Sequence, residues 1–347
     1  MIEVSYVAFD DEVAEALRRL FPEDAAEKTS PRLRWRFEAA PGGRGAFAIA
    51  RDSEAAGRII GIVGGTASLV ATKGASIPTW QAVDLVVEAA YRGRGVFSKL
   101  GKAFLEGAAE GGTRIVWGFP NENAAHGWFG RFGWLRFGTA PFMIRPLRTG
   151  SFLRRLARPL GAIDVPLIRA RPTGKLELRV IEQFGPEVDR LWARFSGRIG
   201  CGAVRDAEWL NWRLMNRPGT VYRTVGAFQG SEMRAFVSSR VLDKHGARIF
   251  YVMEAMSGAE EDDPQLAELL RHEAARAAGL GAEVALAWCP VSAPNRHVYR
   301  KAGFINFPER LRPITIHFGA KFLDNQLPAE LRRADQWYVS YLDSDTI

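Results

Sequence analysis

The chain has 347 residues, of which 47% are hydrophobic and 25% charged, and it carries a formal net charge of +8. That is the composition of a water-soluble globular protein, and the length suits two domains better than one. No run approaches the ~20 apolar residues of a membrane span, the acidic, alternating N-terminus lacks the basic start of a secretory signal, and the isolated Cys201 and Cys289 offer neither a disulfide framework nor zinc-ligand spacing. The location these features lead us to expect is cytoplasmic, with reduced thiols.

Residues 2–9 alternate as a strand, and Asp10 or Asp11 can cap a helix that runs to Leu20. Pro31 opens a second helical piece over 32–38, and Pro41-Gly42-Gly43-Arg44-Gly45 is a turn. Residues 47–51 and 58–71 read as a hairpin, followed by a central strand at about 80–88 and a helix at about 94–110. The helix signal is the spacing of Val96, Phe97, Leu100, Ala103, Phe104 and Ala108. Gly111-Gly112 ends it, and 113–119 is a short buried strand. Asn121-Glu122-Asn123 then starts another helix, closed at Gly133, and 137–146 reads as a last strand.

Between central strand and helix lies Arg92-Gly93-Arg94-Gly95. A glycine turn that opens a helix leaves several backbone N–H groups unpaired at the positive end of the helix dipole. Such a turn suits a phosphate, and two arginines add charge beside it. The same residues also fit an ordinary strand-to-helix turn with solvated arginines.

The wider stretch Val87-x-x-x-Tyr91-Arg92-Gly93-Arg94-Gly95-Val96 resembles the acetyl-CoA pyrophosphate loop of the GNAT N-acetyltransferases, whose pattern is Arg/Gln-x-x-Gly-x-Gly/Ala after the fourth strand. Arg92 and Gly95 match, whereas Phe97 stands where Gly or Ala is usual and Ala89 where proline is often found. The element order β-α-α-β-β-β-α-β-α-β is the one this resemblance demands. It implies an α/β (α+β) fold class, with a mixed, mostly antiparallel central sheet flanked by helices. It also implies an acyltransferase, most simply an N-acetyltransferase, that uses acetyl-CoA or another acyl-CoA as co-substrate and no metal. The implied cofactor contacts are Leu85, Val86 and Val87 along the pantetheine arm; Arg92, Gly93, Arg94, Gly95, Val96 and Phe97 at the pyrophosphate; and Asn121 or Asn123 at the helix after the fifth strand.

Acyl transfer to an amine needs a group that removes the amine's proton. Asp84 and Glu88 are the carboxylates on or beside the central strand, four apart and so on one side of it. Asp84 comes first, because an acid within an apolar strand is costly without a role. Its other reading is a structural acceptor or the partner of an arginine, Arg34 or Arg36; Glu88 also reads as a solvated or loop-capping residue. The resemblance places a thiolate-protonating tyrosine where this chain has Phe129. His126, one helical turn earlier, is either a substitute or a solvated residue. Trp35, Trp209 and Trp212 read as core residues or as walls of an acceptor cleft.

The second half repeats the first. Leu33-Arg34-Trp35-Arg36-Phe37 recurs as Leu210-Asn211-Trp212-Arg213-Leu214, and Pro120 and Gly133 recur 170 residues later as Pro290 and Gly303. The expected organisation is therefore two tandem GNAT-like domains at 1–147 and 173–318, a linker at 148–172, and a tail at 319–347 that packs on the body. At the same offset, the phosphate loop becomes Asp262-Asp263-Pro264-Gln265-Leu266-Ala267, whose acids repel a pyrophosphate, so only the first copy is expected to bind the cofactor. Tyr299 in the second copy reads as a retained packing residue. The basic excess lies in one stretch: 145–171 holds seven arginines and one aspartate. That stretch suits a solvated helix, a patch for an acidic acceptor, or association with a membrane surface. The expected acceptor is a small-molecule amine bound between the domains, with amino sugars and nucleotide-linked sugars as the suggested class. The alternatives are a Fem-like transferase using aminoacyl-tRNA, which the intact loop argues against as it does against nucleic acid generally, and a non-catalytic CoA-binding scaffold.

Overall fold

The computed structural model describes residues 1–150, 164–168 and 177–344. Most of the basic linker, with all three of its readings, lies outside the described residues. The strands are β1 (Ile2–Ala8), β2 (Ala46–Asp52), β3 (Arg58–Thr72), β4 (Ala75–Val87), β5 (Ile115–Gly118), β6 (Leu135–Thr139), β7 (Phe142–Pro146) and β8 (Glu177–Val180). They continue as β9 (Cys201–Ala203), β10 (Arg223–Gln229), β11 (Glu232–Lys244), β12 (Ala247–Ser257), β13 (Val284–Trp288), β14 (Ile305–Asn306), β15 (His317–Phe322) and β16 (Trp337–Tyr338). The helices are α1 (Asp11–Leu20), α2 (Ser30–Phe37), α3 (Val96–Glu110), α4 (Glu122–Ala125), α5 (Pro186–Ser196), α6 (Ala207–Leu210), α7 (Asp263–Gly279) and α8 (Arg296–Lys301).

The chain forms two compact units. Unit 1 is Met1–Ala140 with Asn216–Thr220 and Thr315–Ala334; unit 2 is Pro141–Met215 with Val221–Ile314 and the chain from Asp335. In unit 1 the sheet runs β1-β2-β3-β4-β5-β15-β6, and in unit 2 it runs β8-β10-β11-β12-β13-β7-β14. Each sheet has one parallel pair at its centre, β4 with β5 and β12 with β13, in an otherwise antiparallel order. The fold class is therefore the mixed α/β one that the sequence implies.

The stretch read as one strand over 137–146 is two. β6 stays in unit 1, the chain breaks at Ala140 and Pro141, and β7 joins the sheet of unit 2 between β13 and β14. In return β15, at the end of the second half, pairs with β5 and β6 of unit 1. The units thus change at Pro141 and Thr315 rather than at the 147 and 318 of the sequence repeat. The physical reason is that two sheets of the same order offer equivalent places for a last strand, and local pattern does not choose between them. The tail is divided as well: its first four residues, Gly319 to Phe322, complete β15, and from Asp335 the chain belongs to unit 2.

The core of unit 1 lies on both faces of its sheet, as strand alternation requires. α1 and α2 cover one face with Leu17, Leu33 and Phe37 on Phe47, Ile49, Ile62 and Val83. α3 covers the other with Val96, Leu100 and Phe104 on Ala48, Ile60, Val63 and Val87. Phe37 and Phe47 are fully buried, each contributing about 2–3 kcal/mol by area. Asp10, one of the two expected caps, accepts from the N–H of Val13 at 2.8 Å and starts α1. No described helix is long and apolar enough to cross a membrane.

Candidate active site

The site begins with the way β4 leaves its neighbours. Thr79, Trp80 and Gln81 pair in parallel with Ile115, Val116 and Trp117, and beyond them residues 82–87 have no partner on β5. At the neck, a Cβ on Gly118 would stand 3.1 Å from the Ala82 carbonyl oxygen. On its other side β4 carries a bulge: Val83 pairs with Gly64 and Val86 with Ile62, so two residues of β4 oppose one of β3. The extra residue is Asp84, at φ +54°, a left-handed conformation uncommon for a residue with a side chain. The bulge sharpens the local twist and turns the end of β4 away from β5. Leu85, Val86 and Val87 therefore offer a strand edge to an extended, amide-bearing chain.

The bulge also decides where the carboxylates face. Val83 and Val86 pack on the α1/α2 side, and Leu85 and Val87 on the α3 side. Asp84 and Glu88 both turn toward the α1/α2 side, as their spacing suggests, but different cations hold them. Glu88 pairs with Arg19 and, at 2.9 Å, with Arg58. Asp84 has a 6% exposed side chain that pairs directly with Lys28, while Arg36 stands 4.0 Å from its other oxygen. That oxygen, Oδ2, accepts no hydrogen bond among the described residues. Arg36 was one of the two arginines the sequence offered as partners; Arg34 instead pairs with Asp11 and Glu38. Lys28 was not legible in sequence, because it follows α1 in an irregular stretch and is 4% exposed, with its ammonium 4.8 Å from the centre of the Phe21 ring.

The glycine turn has the geometry its sequence suggests. Gly93 and Gly95 sit at φ +78° and +77°, where a side chain is strained, and a Cβ on either would meet nothing within 4 Å. α3 starts at Val96 with Gly95 as its N-cap and no side-chain cap, so its first N–H groups face open space. Arg92 is exposed and donates from Nε to the Val87 carbonyl at 3.1 Å, tying the turn to the end of β4. Arg94 stacks on Tyr91, 5.3 Å from its centroid, and the Tyr91 hydroxyl donates to Asp52 at 2.8 Å. That bond holds the Asp52 carboxyl below its usual range and raises the tyrosine.

Phe97, the departure from the family pattern, does not enter the turn. Its ring lies where a Cβ on Gly127 would be, 2.0 Å from its Cζ, and stacks on Phe132 at 5.3 Å. The bulk gained at 97 is matched by the bulk absent at 127. Asn121 caps α4, its side chain accepting from the N–H of Ala124 at 3.0 Å, while Asn123 is exposed at the second position of the helix. His126–Arg131, which follows α4, is a π-helical turn. Phe129 packs on β15, its Cε1 2.4 Å from where a Cβ on Gly319 would sit, and His126 is exposed. Beside Phe129 stands His317, 9% exposed, with ring centroids 6.0 Å apart. The exchanged strand brings it there, so local pattern could not have found it.

In unit 2 the corresponding turn binds its own carboxylates. Asp262 is fully buried against Arg234 at 2.5 Å, and Asp263 is held by Arg198 at 3.1 Å and by Ser257. Tyr299 is 1% exposed and packs edge-on against Phe304. Trp209 stacks under Arg205 in unit 2, and Trp35 lies 5.7 Å from Arg217 in unit 1, both packing roles.

Residues 7–136 match the family model described as the acetyltransferase (GNAT) domain. No curated protein matches the sequence. Among solved structures the chain is similar to a probable N-acyltransferase of Enterococcus faecalis, with TM-score 0.61 and 13% identity over 93% of this chain and 73% of that one. It is similar to Saccharomyces cerevisiae N-myristoyltransferase with bound myristoyl-CoA, with TM-score 0.61 and 14% identity over 92% and 82%. A GCN5-related N-acetyltransferase of Anabaena variabilis gives TM-score 0.60 and 11% identity over 93% and 73%. A bulged strand that parts from its parallel neighbour, a glycine turn and an uncapped helix thus fall inside residues 7–136, the stretch that is similar to the acetyltransferase (GNAT) domain.

Proposed function

We propose that the protein is an acyl-CoA-dependent acyltransferase, most simply an N-acetyltransferase, acting on a small-molecule amine. The observation that supports this reading most is the left-handed Gly93-Arg94-Gly95 turn, open to solvent, between the parted end of β4 and the uncapped start of α3. The N–H groups there, with Arg92 and Arg94, suit a pyrophosphate. Leu85, Val86 and Val87 suit the amides of a pantetheine arm, and Asn123 is free to add a hydrogen bond. A backbone N–H at the bulge polarises the thioester carbonyl. Asp84 takes the amine's proton through Oδ2, the buried oxygen that Lys28 does not bond and that Arg36 approaches to 4.0 Å. Glu88, held by two arginines, serves the ion-pair network beside the strand. The buried free thiols Cys201 and Cys289 suit the reducing interior of a cell, where acyl-CoA is found. Amino sugars are the acceptor class to screen first.

Calorimetric titration with acetyl-CoA and with a long-chain acyl-CoA tests the reading. One equivalent is expected to bind, Arg92→Glu to abolish binding, and Glu261→Arg, an exposed change in the turn of unit 2, to leave it unaltered. Asp84→Asn is expected to bind normally and to lose about 10²-fold or more in turnover. A protein that binds no acyl-CoA at all would bring forward the aminoacyl-tRNA or non-catalytic alternatives.

A further inference from the structure

Three carboxylates stand at the ends of the two central strands, and their oxygens are occupied differently. Glu88 has both oxygens bonded, Oε1 by Arg19 and Oε2 by Arg58 at 2.9 Å. In unit 2, Glu254 accepts from the Tyr338 hydroxyl and the Ala255 N–H on one oxygen, and from Arg205 and Ser340 on the other. Asp84 differs. Lys28 bonds Oδ1, while Oδ2 is buried and accepts no hydrogen bond among the described residues. Arg36 comes no nearer to that oxygen than 4.0 Å. A buried polar atom is as a rule bonded, so an unbonded one calls for an explanation.

The explanation lies in the partner. Asp84 is the extra residue of the β4 bulge, at φ +54°, a conformation that persists only where the surroundings fix it. Lys28 comes from the irregular stretch after α1, where its N–H donates to the Asp24 and Ala25 carbonyls at 3.1 and 3.3 Å and closes a turn. Its side chain, 5% exposed, sets the ammonium 4.8 Å from the centre of the Phe21 ring and against Oδ1. An arginine there would present a planar fork that takes both carboxylate oxygens, whereas an ammonium is a point charge. It fixes one oxygen and thereby the direction of the other.

Resting on the acyltransferase reading, we propose that Lys28 is a positioning residue for that reaction, which by holding Oδ1 of Asp84 keeps Oδ2 unbonded and in one orientation for the proton of the attacking amine. Lys28 acts through Asp84, and the amine supplies the hydrogen bond that Oδ2 lacks.

The test measures acetyl-CoA binding by calorimetry and thiol release from acetyl-CoA, with water and with amino sugars. Lys28→Met, similar in length but uncharged, is expected to bind acetyl-CoA as wild type does and to lose about tenfold to 10²-fold in kcat. Asp84→Asn is expected to lose about 10²-fold, and adding Lys28→Met to it to cost no more than about threefold further. A loss below about threefold in Lys28→Met alone overturns the proposal, as does a larger further loss in the double variant, which would make Lys28 a general support of the fold. A double variant that returns to wild-type turnover also overturns it, since the pair would then be structural only. Lys28→Met leaves Asp84 buried without its partner; where that variant fails to fold, the double variant, which removes both charges, decides by the same comparison with Asp84→Asn. A wild type that binds no acyl-CoA, or an Asp84→Asn variant as fast as wild type, instead sinks the underlying reading and this proposal with it.

Discussion

The two units meet the same physical problem, a helix start behind a bulged strand, in opposite ways. In unit 1 the turn before α3 is glycine-rich, left-handed and open, and no side chain caps the helix. In unit 2 the turn before α7 carries Asp262 and Asp263, which arginines draw inside. Burial raises the Asp262 carboxyl even though Arg234 pulls it down. The opening between strands differs in the same sense. Only Ile249, Phe250, Tyr251 and Val252 of β12 pair with β13, and the bulge falls at Met253 beside Glu254, the residue 170 after Asp84. Here the tail enters: the Tyr338 hydroxyl donates to Glu254 at 2.5 Å, and Tyr341 stacks on Trp288 at 4.7 Å. Arg205, fully buried, joins Glu254 at 2.9 Å to Asp343 at 2.6 Å. Unit 2 thus fills both the turn and the end of its parted strand with its own side chains.

The largest expected effect breaks that substitution. Arg205→Met removes the cation between two buried carboxylates and is expected to cost about 3–5 kcal/mol. A thermal melt checks it; a change below about 1 kcal/mol would mean that the tail is only loosely docked. The opposite test, in unit 1, is Gly95→Val. At φ +77° a branched side chain costs about 1–2 kcal/mol of backbone energy, so acyl-CoA affinity is expected to fall about five- to thirtyfold by calorimetry. Equal affinity would show that the turn does not bind the phosphates.

Much of unit 1 was legible because its signals are local. Glycines that require left-handed backbone, Asp10 as a cap and the apolar spacing of α3 each act within a few residues. The departure at Phe97 was visible, but its compensation at Gly127 was not, since the two meet only once α3 and the π-helical turn are in place. The exchange of β7 and β15 was illegible for a stronger reason. A strand's own pattern specifies which face is buried but not which sheet it joins, and here two sheets of the same order compete. His317 was lost to sequence reading with it, as was Lys28, whose meaning depends on a bulge at Asp84 that alternation alone does not reveal.

The two smallest expected effects sharpen the picture of the open turn. Gly127→Ala places a Cβ 2.0 Å from the Phe97 ring and is expected to cost about 1–3 kcal/mol. Adding Phe97→Ala should recover most of that, so the double mutant tests whether the two sites are coupled, and additive losses would show that they are not. Tyr91→Phe is milder and is read through pH. The hydroxyl bond holds the folded Asp52 carboxyl below its unfolded value, so wild type gains stability from it above the ordinary carboxylate pKa. That gain is lost as pH falls through the lowered folded value. The difference in urea midpoint between wild type and Tyr91→Phe should therefore hold steady near neutrality and shrink on acidification. A difference that grows as the solution is acidified would reverse the sign, and would mean that Asp52 stabilises the turn in its protonated form.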